Sequence, residues 1–176
     1  MKTKVAFWLV PAVEDRAFFQ EMIDTLAHEY DAPAFVPHVT IYFGECQPDE
    51  SPTSLVEEAI QGVKSFSLAV DRLLYTDQFT KTLFVQFQPN SVVTQISETL
   101  RHSLGQPSDF VLNPHLSLIY KQMSEETQKY LVTSITLPKS EVFFNEVQAI
   151  LAPNKTQTRE DVESWKVLYK TQLDNS

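Results

Sequence analysis

Apolar residues along the chain fall into short runs separated by polar, proline-bearing stretches. Residues 5–10 (VAFWLV) are rich in strand formers and stop at Pro11. Residues 14–30 instead carry Phe18, Met22, Leu26 and Tyr30 at spacing four, behind Glu14 and Asp15. That spacing predicts an amphipathic helix with acids at its positive end. Pro33 and Pro37 bound a turn. HVTIYFG at 38–44 reads as a strand, 44–52 as a loop and 53–62 as a short helix closed near Gly62. Residues 65–75 and 81–88 predict two strands joined by a loop. A helix follows over 89–104, with Val92, Val93, Ile96, Leu100 and Leu104 along one side and Gly105 beyond its end. The remaining pattern predicts a strand at 115–120, a helix at 124–134 capped by Ser124, and strands at 141–151 and 165–173. The polar stretch 153–164 reads as a loop, with its acidic part at 159–163 solvated.

The order of these elements repeats. An offset of 77 carries Phe7 to Phe84, Pro37 to Pro114, His38 to His115, Thr40 to Ser117 and Phe66 to Phe143. Residues 1–76 and 77–152 both read strand–helix–strand–helix–strand, with one strand left over at the C-terminus. The expectation is a single α+β domain of two similar lobes born of one duplication. Each lobe would be an antiparallel sheet with outer helices. The lobes would be related by a pseudo-twofold axis around a central cleft.

The matched element is VPHVTI at 36–41 against NPHLSL at 113–118. Side chains alternate in a strand, so His38 and Thr40 share one face and Val39 and Ile41 the other. His115 and Ser117 are set against Leu116 and Leu118 in the same way. The apolar faces have the core to fill, and the His/hydroxyl faces point into the cleft. Two imidazoles there divide the work of general base and general acid near neutral pH. Two hydroxyls donate to non-bridging phosphate oxygens. A single H-x-[ST] carries almost no information. Two proline-preceded copies among four histidines, at equal offset, carry a good deal.

Composition narrows the classes. At 176 residues and 43% apolar the chain can bury one sizeable core. A net charge of -9 argues against long nucleic acid or an anionic membrane as partner, but it leaves a local phosphate site open. One cysteine, Cys46, excludes an internal disulfide and a cysteine-ligated zinc site, and the spacings supply no metal ligand set. No apolar run reaches membrane length, and the first residues do not read as a signal peptide. The expectation is a cytoplasmic monomer acting on a small molecule, with neither metal nor cofactor.

With FVPHVT at 35–40 and PHLSLIY at 114–120, the chain resembles the two-histidine phosphoesterase superfamily. Within it the likeness is to the plant and yeast type of 2′,3′-cyclic-nucleotide phosphodiesterase. FWLVP at 7–11, VDR at 70–72 and KTQTREDVESW at 155–165 extend it over most of the chain. The 2′-5′ RNA ligase-like branch has Arg after its second motif, where this chain has Tyr120 and Lys121. The resemblance implies a bilobal fold that opens nucleoside 2′,3′-cyclic phosphates to 2′-phosphates, or ADP-ribose 1″,2″-cyclic phosphate to the 1″-phosphate. It implies catalytic His38 and His115, phosphate contacts from Thr40 and Ser117, and a substrate contact from Tyr120. It further implies His38 as acid and His115 as base. Alternatives are an RNA-end-processing or 2′-5′ RNA ligase-like enzyme and a nucleotide-binding module without chemistry. Plant members carry cysteine pairs that this chain lacks.

Other residues are weaker candidates. Trp8 and Phe79 could stack a base or ribose at the cleft rim. Tyr42 joins the His38/Thr40 face by parity. Lys81 and Lys121 are the nearest cations for a second phosphate group. His28, His102 and Cys46 have no matching context and read as surface or packing residues.

Overall fold

A computed structural model of the chain describes residues 3–105 and 107–175. The elements run β1 (Thr3–Pro11), α1 (Val13–Tyr30), β2 (Val39–Cys46), α2 (Pro52–Ala59), β3 (Phe66–Tyr75), β4 (Leu83–Phe87), α3 (Ser91–Ser103), β5 (His115–Ile119), α4 (Glu125–Ser134), β6 (Glu141–Leu151), α5 (Arg159–Glu163) and β7 (Lys166–Gln172). Local chemistry explains most boundaries. Asn90 and Ser124 cap α3 and α4 by accepting from backbone N–H groups of the first turn. Asp31, just past the end of α1, takes a left-handed conformation (φ 53°) that closes the helix.

Every strand pairing is antiparallel. β1 pairs with β2 on one side and β6 on the other, while β4 pairs with β5 and β3. These are the two lobes. They are not separate sheets, because β6 crosses from one to the other. Its start pairs with Phe66–Ala69 of β3, and its remainder, from Phe144 to Leu151, pairs with β1. β2 and β5 meet at one pair, Val39 with Leu116, and β7 is added on the outer edge of β6. The result is one curled seven-stranded sheet with helices outside. Val39 and Leu116 are themselves 77 apart, so the lobes meet on matching positions. The third strand of each half lies in the lobe of the other half. At eleven residues, β6 is long enough to pair in both lobes.

β1 is buried on both faces, which accounts for its unbroken apolar run. Val5, Phe7 and Leu9 enter the main core, while Ala6, Trp8 and Val10 form a second cluster with Ile150 on the opposite face. Two expectations need correction. The inner face of α1 is Phe19, Ile23, Leu26 and Ala27, whereas Phe18, Met22 and Tyr30 pack at its margin. The helix is apolar over two adjacent rows, and spacing alone does not say which row is central. Residues 153–164 are also not all loop. Thr158 and Asp161 form a reciprocal capping box that starts α5. Among the described residues no helix is long and apolar enough to cross a membrane.

Candidate active site

His38 lies immediately before β2 and His115 opens β5. Both line one cavity of about 290 Å³ between the lobes, together with Trp8, Thr40, Tyr120 and Lys81. Each imidazole is held in the same way. His38 Nδ1 donates to the Val36 carbonyl oxygen at 2.7 Å, and His115 Nδ1 to that of Asn113 at 2.6 Å. The intervening residue is Pro37 or Pro114, whose restricted φ helps turn the carbonyl two residues back toward the ring. A carbonyl can only accept, so the proton sits on Nδ1 and the Nε2 lone pair is free.

Aromatic rings fix the imidazoles further. Trp8 stacks flat on His38, with centroids 3.6 Å apart and planes 10° off parallel. Phe84 meets His115 edge-on at 5.2 Å. Trp8 and Phe84 stand opposite Thr40 and Ser117 in their strand registers. The structural counterpart of Phe84 is therefore Trp8 and not Phe7, which faces the main core. Trp8 is itself only 5% exposed, with one ring face covered by His38. It walls the cavity and does not stand open at the rim.

Burial makes both imidazoles poor proton carriers. His38 is drawn down to about 3, mainly because it is cut off from water, with the neighbouring His115 adding to the effect. His115 is lowered for the same first reason and further by the charge of Lys81. The ordinary imidazole titration expected from sequence is thus shifted, and both rings are neutral at neutral pH. This has a consequence for stability. Below an ordinary value of 6.5 the unfolded chain protonates His38 while the folded protein does not. Stability therefore falls as pH drops from 6.5 toward 3, by up to about 1.4 kcal/mol per pH unit for that group. Urea midpoints at a series of pH values should show a flatter acid arm in His38→Gln than in the wild type. Parallel arms would contradict the shift.

The hydroxyls differ from one another. Thr40 faces the cavity. Ser117 is 4% exposed. Its Oγ donates to the Thr80 carbonyl oxygen at 2.9 Å and lies in hydrogen-bond contact with the Tyr120 phenol. Tyr120 is buried, its phenol pushed well above the usual tyrosine range by lack of water, and it packs against Phe35 and Trp165.

Tyr42 is not in the cleft. It is 0% exposed in the main core, packed on Phe110 at 5.5 Å. The reason is a bulge: Phe7 pairs with Tyr42 but Trp8 with Thr40, so Ile41 is an extra residue that reverses the alternation. Phe43 then takes the cavity position. β5 has the same irregularity at Leu118, because Leu83 pairs with Ile119 and Phe84 with Ser117. That is why Tyr120, and not Ile119, reaches the cavity. The 77-residue offset applied to Tyr120 lands on Phe43, so the repeat held the signal that strand parity missed.

Of the cationic candidates, Lys81 lines the cavity, but Lys121 is spent on a hydrogen bond to the Tyr30 carbonyl oxygen. Phe79 lies in the wall of a neighbouring cavity and stacks on Tyr120 at 6.0 Å. Trp165, Asn154 and Thr156 also line the histidine cavity. They come from the segment read as a plain loop and the start of the last strand; Thr156 and Trp165 fall in the 155–165 stretch that extended the resemblance, but it gave them no role. Trp165 stands edge-on to Trp8, His38 and Tyr120. His28 and His102 are exposed, and Cys46 is buried with its thiol raised to about 11. Among the described residues, no three His, Cys, Asp or Glu side chains gather as a metal site.

A model of the 2′-5′ RNA ligase superfamily matches residues 9–150. The cyclic phosphodiesterase of Arabidopsis thaliana is 27% identical over 128 residues, which is 73% of this chain and 71% of that protein. E. coli LigT in complex with 3′-AMP has the same fold, with a TM-score of 0.60 at 14% identity, covering 99% of this chain and 100% of the other. The protein TT0787 of Thermus thermophilus superposes at 0.61 with 14% identity, covering 98% and 99%. LigT has also been crystallised with phosphate and with ATP.

Proposed function

The chain belongs to the 2′-5′ RNA ligase superfamily, and from that premise we propose that it is a hydrolase of cyclic phosphates. The substrate class is a nucleoside 2′,3′-cyclic phosphate opened to the 2′-phosphate, or ADP-ribose 1″,2″-cyclic phosphate opened to the 1″-phosphate. The observation that carries this reading is the pair of imidazoles in one cavity, each with Nδ1 tied to backbone and Nε2 free to exchange a proton.

His115 accepts a proton from water through Nε2, and the resulting oxygen nucleophile attacks phosphorus in line. Burial, with the charge of Lys81 added, keeps His115 neutral and suits it to that role. His38 protonates the departing ribose oxygen. Its ring is neutral at neutral pH, so the proton must arrive with the anion. A phosphate within ~4–6 Å favours the charged ring and reverses part of the effect of burial. Thr40 donates to a non-bridging oxygen from the cavity wall, and Ser117 can join it only once its hydroxyl turns from the Thr80 carbonyl oxygen, with Tyr120 beside the substrate.

Phosphorus NMR of a panel of cyclic phosphates, with EDTA present, tests the reading. A single phosphomonoester product is expected from at least one mononucleoside cyclic phosphate. Turnover only after divalent metal is added, or binding with no turnover across the pH range, overturns it. The ligase name of the superfamily raises RNA ends as a second class. Cleavage of oligonucleotide cyclic phosphates alone would favour that class.

A further inference from the structure

A second cavity, of about 580 Å³, adjoins the one that holds the histidines. The two share Thr80 and Thr156 in their walls. Phe79 in the second stacks on Tyr120 in the first. The rest of its lining is Gln78, Gln122, Gln157 and Lys155. Every polar side chain there can donate a hydrogen bond, and Phe79 is the lone apolar member.

The distribution of charge is uneven. The chain carries 23 acidic residues, yet among the described residues none lines either cavity. The groove instead holds two ammonium groups, Lys81 beside His115 and Lys155 further out. Among the described residues neither is paired with a carboxylate. A strongly acidic protein has thus kept its acids out of one groove and left two cations there. Such a groove focuses anions of the charge and shape of phosphate.

The loop bearing Lys155 is anchored at both ends. The Ala152 N–H donates to the Lys4 carbonyl oxygen at 3.2 Å. The Gln157 and Thr158 N–H groups donate to Asp161 Oδ2 at 2.9 and 3.2 Å. Ordering such a loop on a ligand costs little, because the chain is already held.

We propose that the second cavity is a subsite for a second phosphate group on the substrate, held by Lys155 with the glutamine amides and Thr156. The preferred substrate is then a small cyclic phosphate that carries another phosphate on the same molecule. This rests on the cyclic phosphodiesterase reading above and narrows it.

The test compares a nucleoside 2′,3′-cyclic phosphate with a free 5′-hydroxyl against the same nucleoside bearing a 5′-phosphate. The wild type should favour the 5′-phosphorylated form about fivefold in kcat/KM, mostly through KM, as one solvent-exposed charge pair would. Lys155→Gln should bring that ratio toward one, and added salt should shrink it. Equal kcat/KM for the two substrates, or a ratio that Lys155→Gln leaves intact, overturns the proposal. So does faster cleavage of a dinucleotide ending in the cyclic phosphate, which offers a diester in place of the free phosphate. Calorimetry with adenosine 2′-phosphate and adenosine 2′,5′-bisphosphate reads the subsite without turnover. Tighter binding of the bisphosphate that Lys155→Gln removes supports the subsite even if no cyclic phosphate is hydrolysed. In that case the phosphodiesterase reading fails alone.

Discussion

Replacing either His38 or His115 by Ala is expected to lower kcat on a cyclic phosphate by about 10³-fold, the scale of one positioned acid or base. The double variant should be little worse than either single one, because the two rings act on one transition state and their losses do not add. His115 is only part-buried, so its loss should leave the fold intact. His38 is 6% exposed beneath Trp8, and its removal opens a small void in the cavity wall. Circular dichroism and a melting curve separate that structural cost from the loss of chemistry. Either variant keeping a tenth or more of wild-type turnover would rule out the two-imidazole mechanism.

The second large effect is expected at Trp8, the ring stacked on His38 in the cavity wall. Trp8→Ala removes the ring stacked on that imidazole and the edge contact with Trp165. Loss of a buried tryptophan costs about 3–5 kcal/mol, or roughly 10 °C of melting temperature for a chain of this size. Water then reaches the exposed face of His38. Since isolation from water is the main reason the ring sits at about 3, its titration should move up toward 6.5. NMR titration of the ring protons reads this directly. Trp8→Phe, which keeps a stacked ring, should recover most of both effects. A Trp8→Ala protein that melts near the wild type, or whose His38 still titrates near 3, would show that Trp8 neither supports nor dries the ring.

Much of this molecule is readable from spacing. The paired Pro-His-apolar-hydroxyl elements identify His38 and His115, because backbone alternation puts the apolar residues of each strand in the core and leaves the imidazoles on the other face. The long runs behave likewise. Residues 5–10 form a strand, and 141–151 form the strand that joins the lobes. Three things resist such a reading. One residue inserted in a ladder, Ile41 or Leu118, reverses every face beyond it, so Tyr42 and Phe43 exchange roles. The pairing of each half's third strand with the other half depends on contacts far apart in sequence. Trp165, Asn154, Thr156 and Lys155 reach the groove from a polar segment whose local pattern gave none of them a role.

Local sequence therefore determined the strands, the helices, the caps and the two histidines, since each depends on neighbours within a few positions. It also determined the acidity of the chain and its single cysteine. Tertiary structure alone decided that the two imidazoles share a cavity, that they are dry enough to stay neutral, and that the acids lie elsewhere. Those properties arise from distance and from exclusion of water, and both depend on which remote segments close over a site.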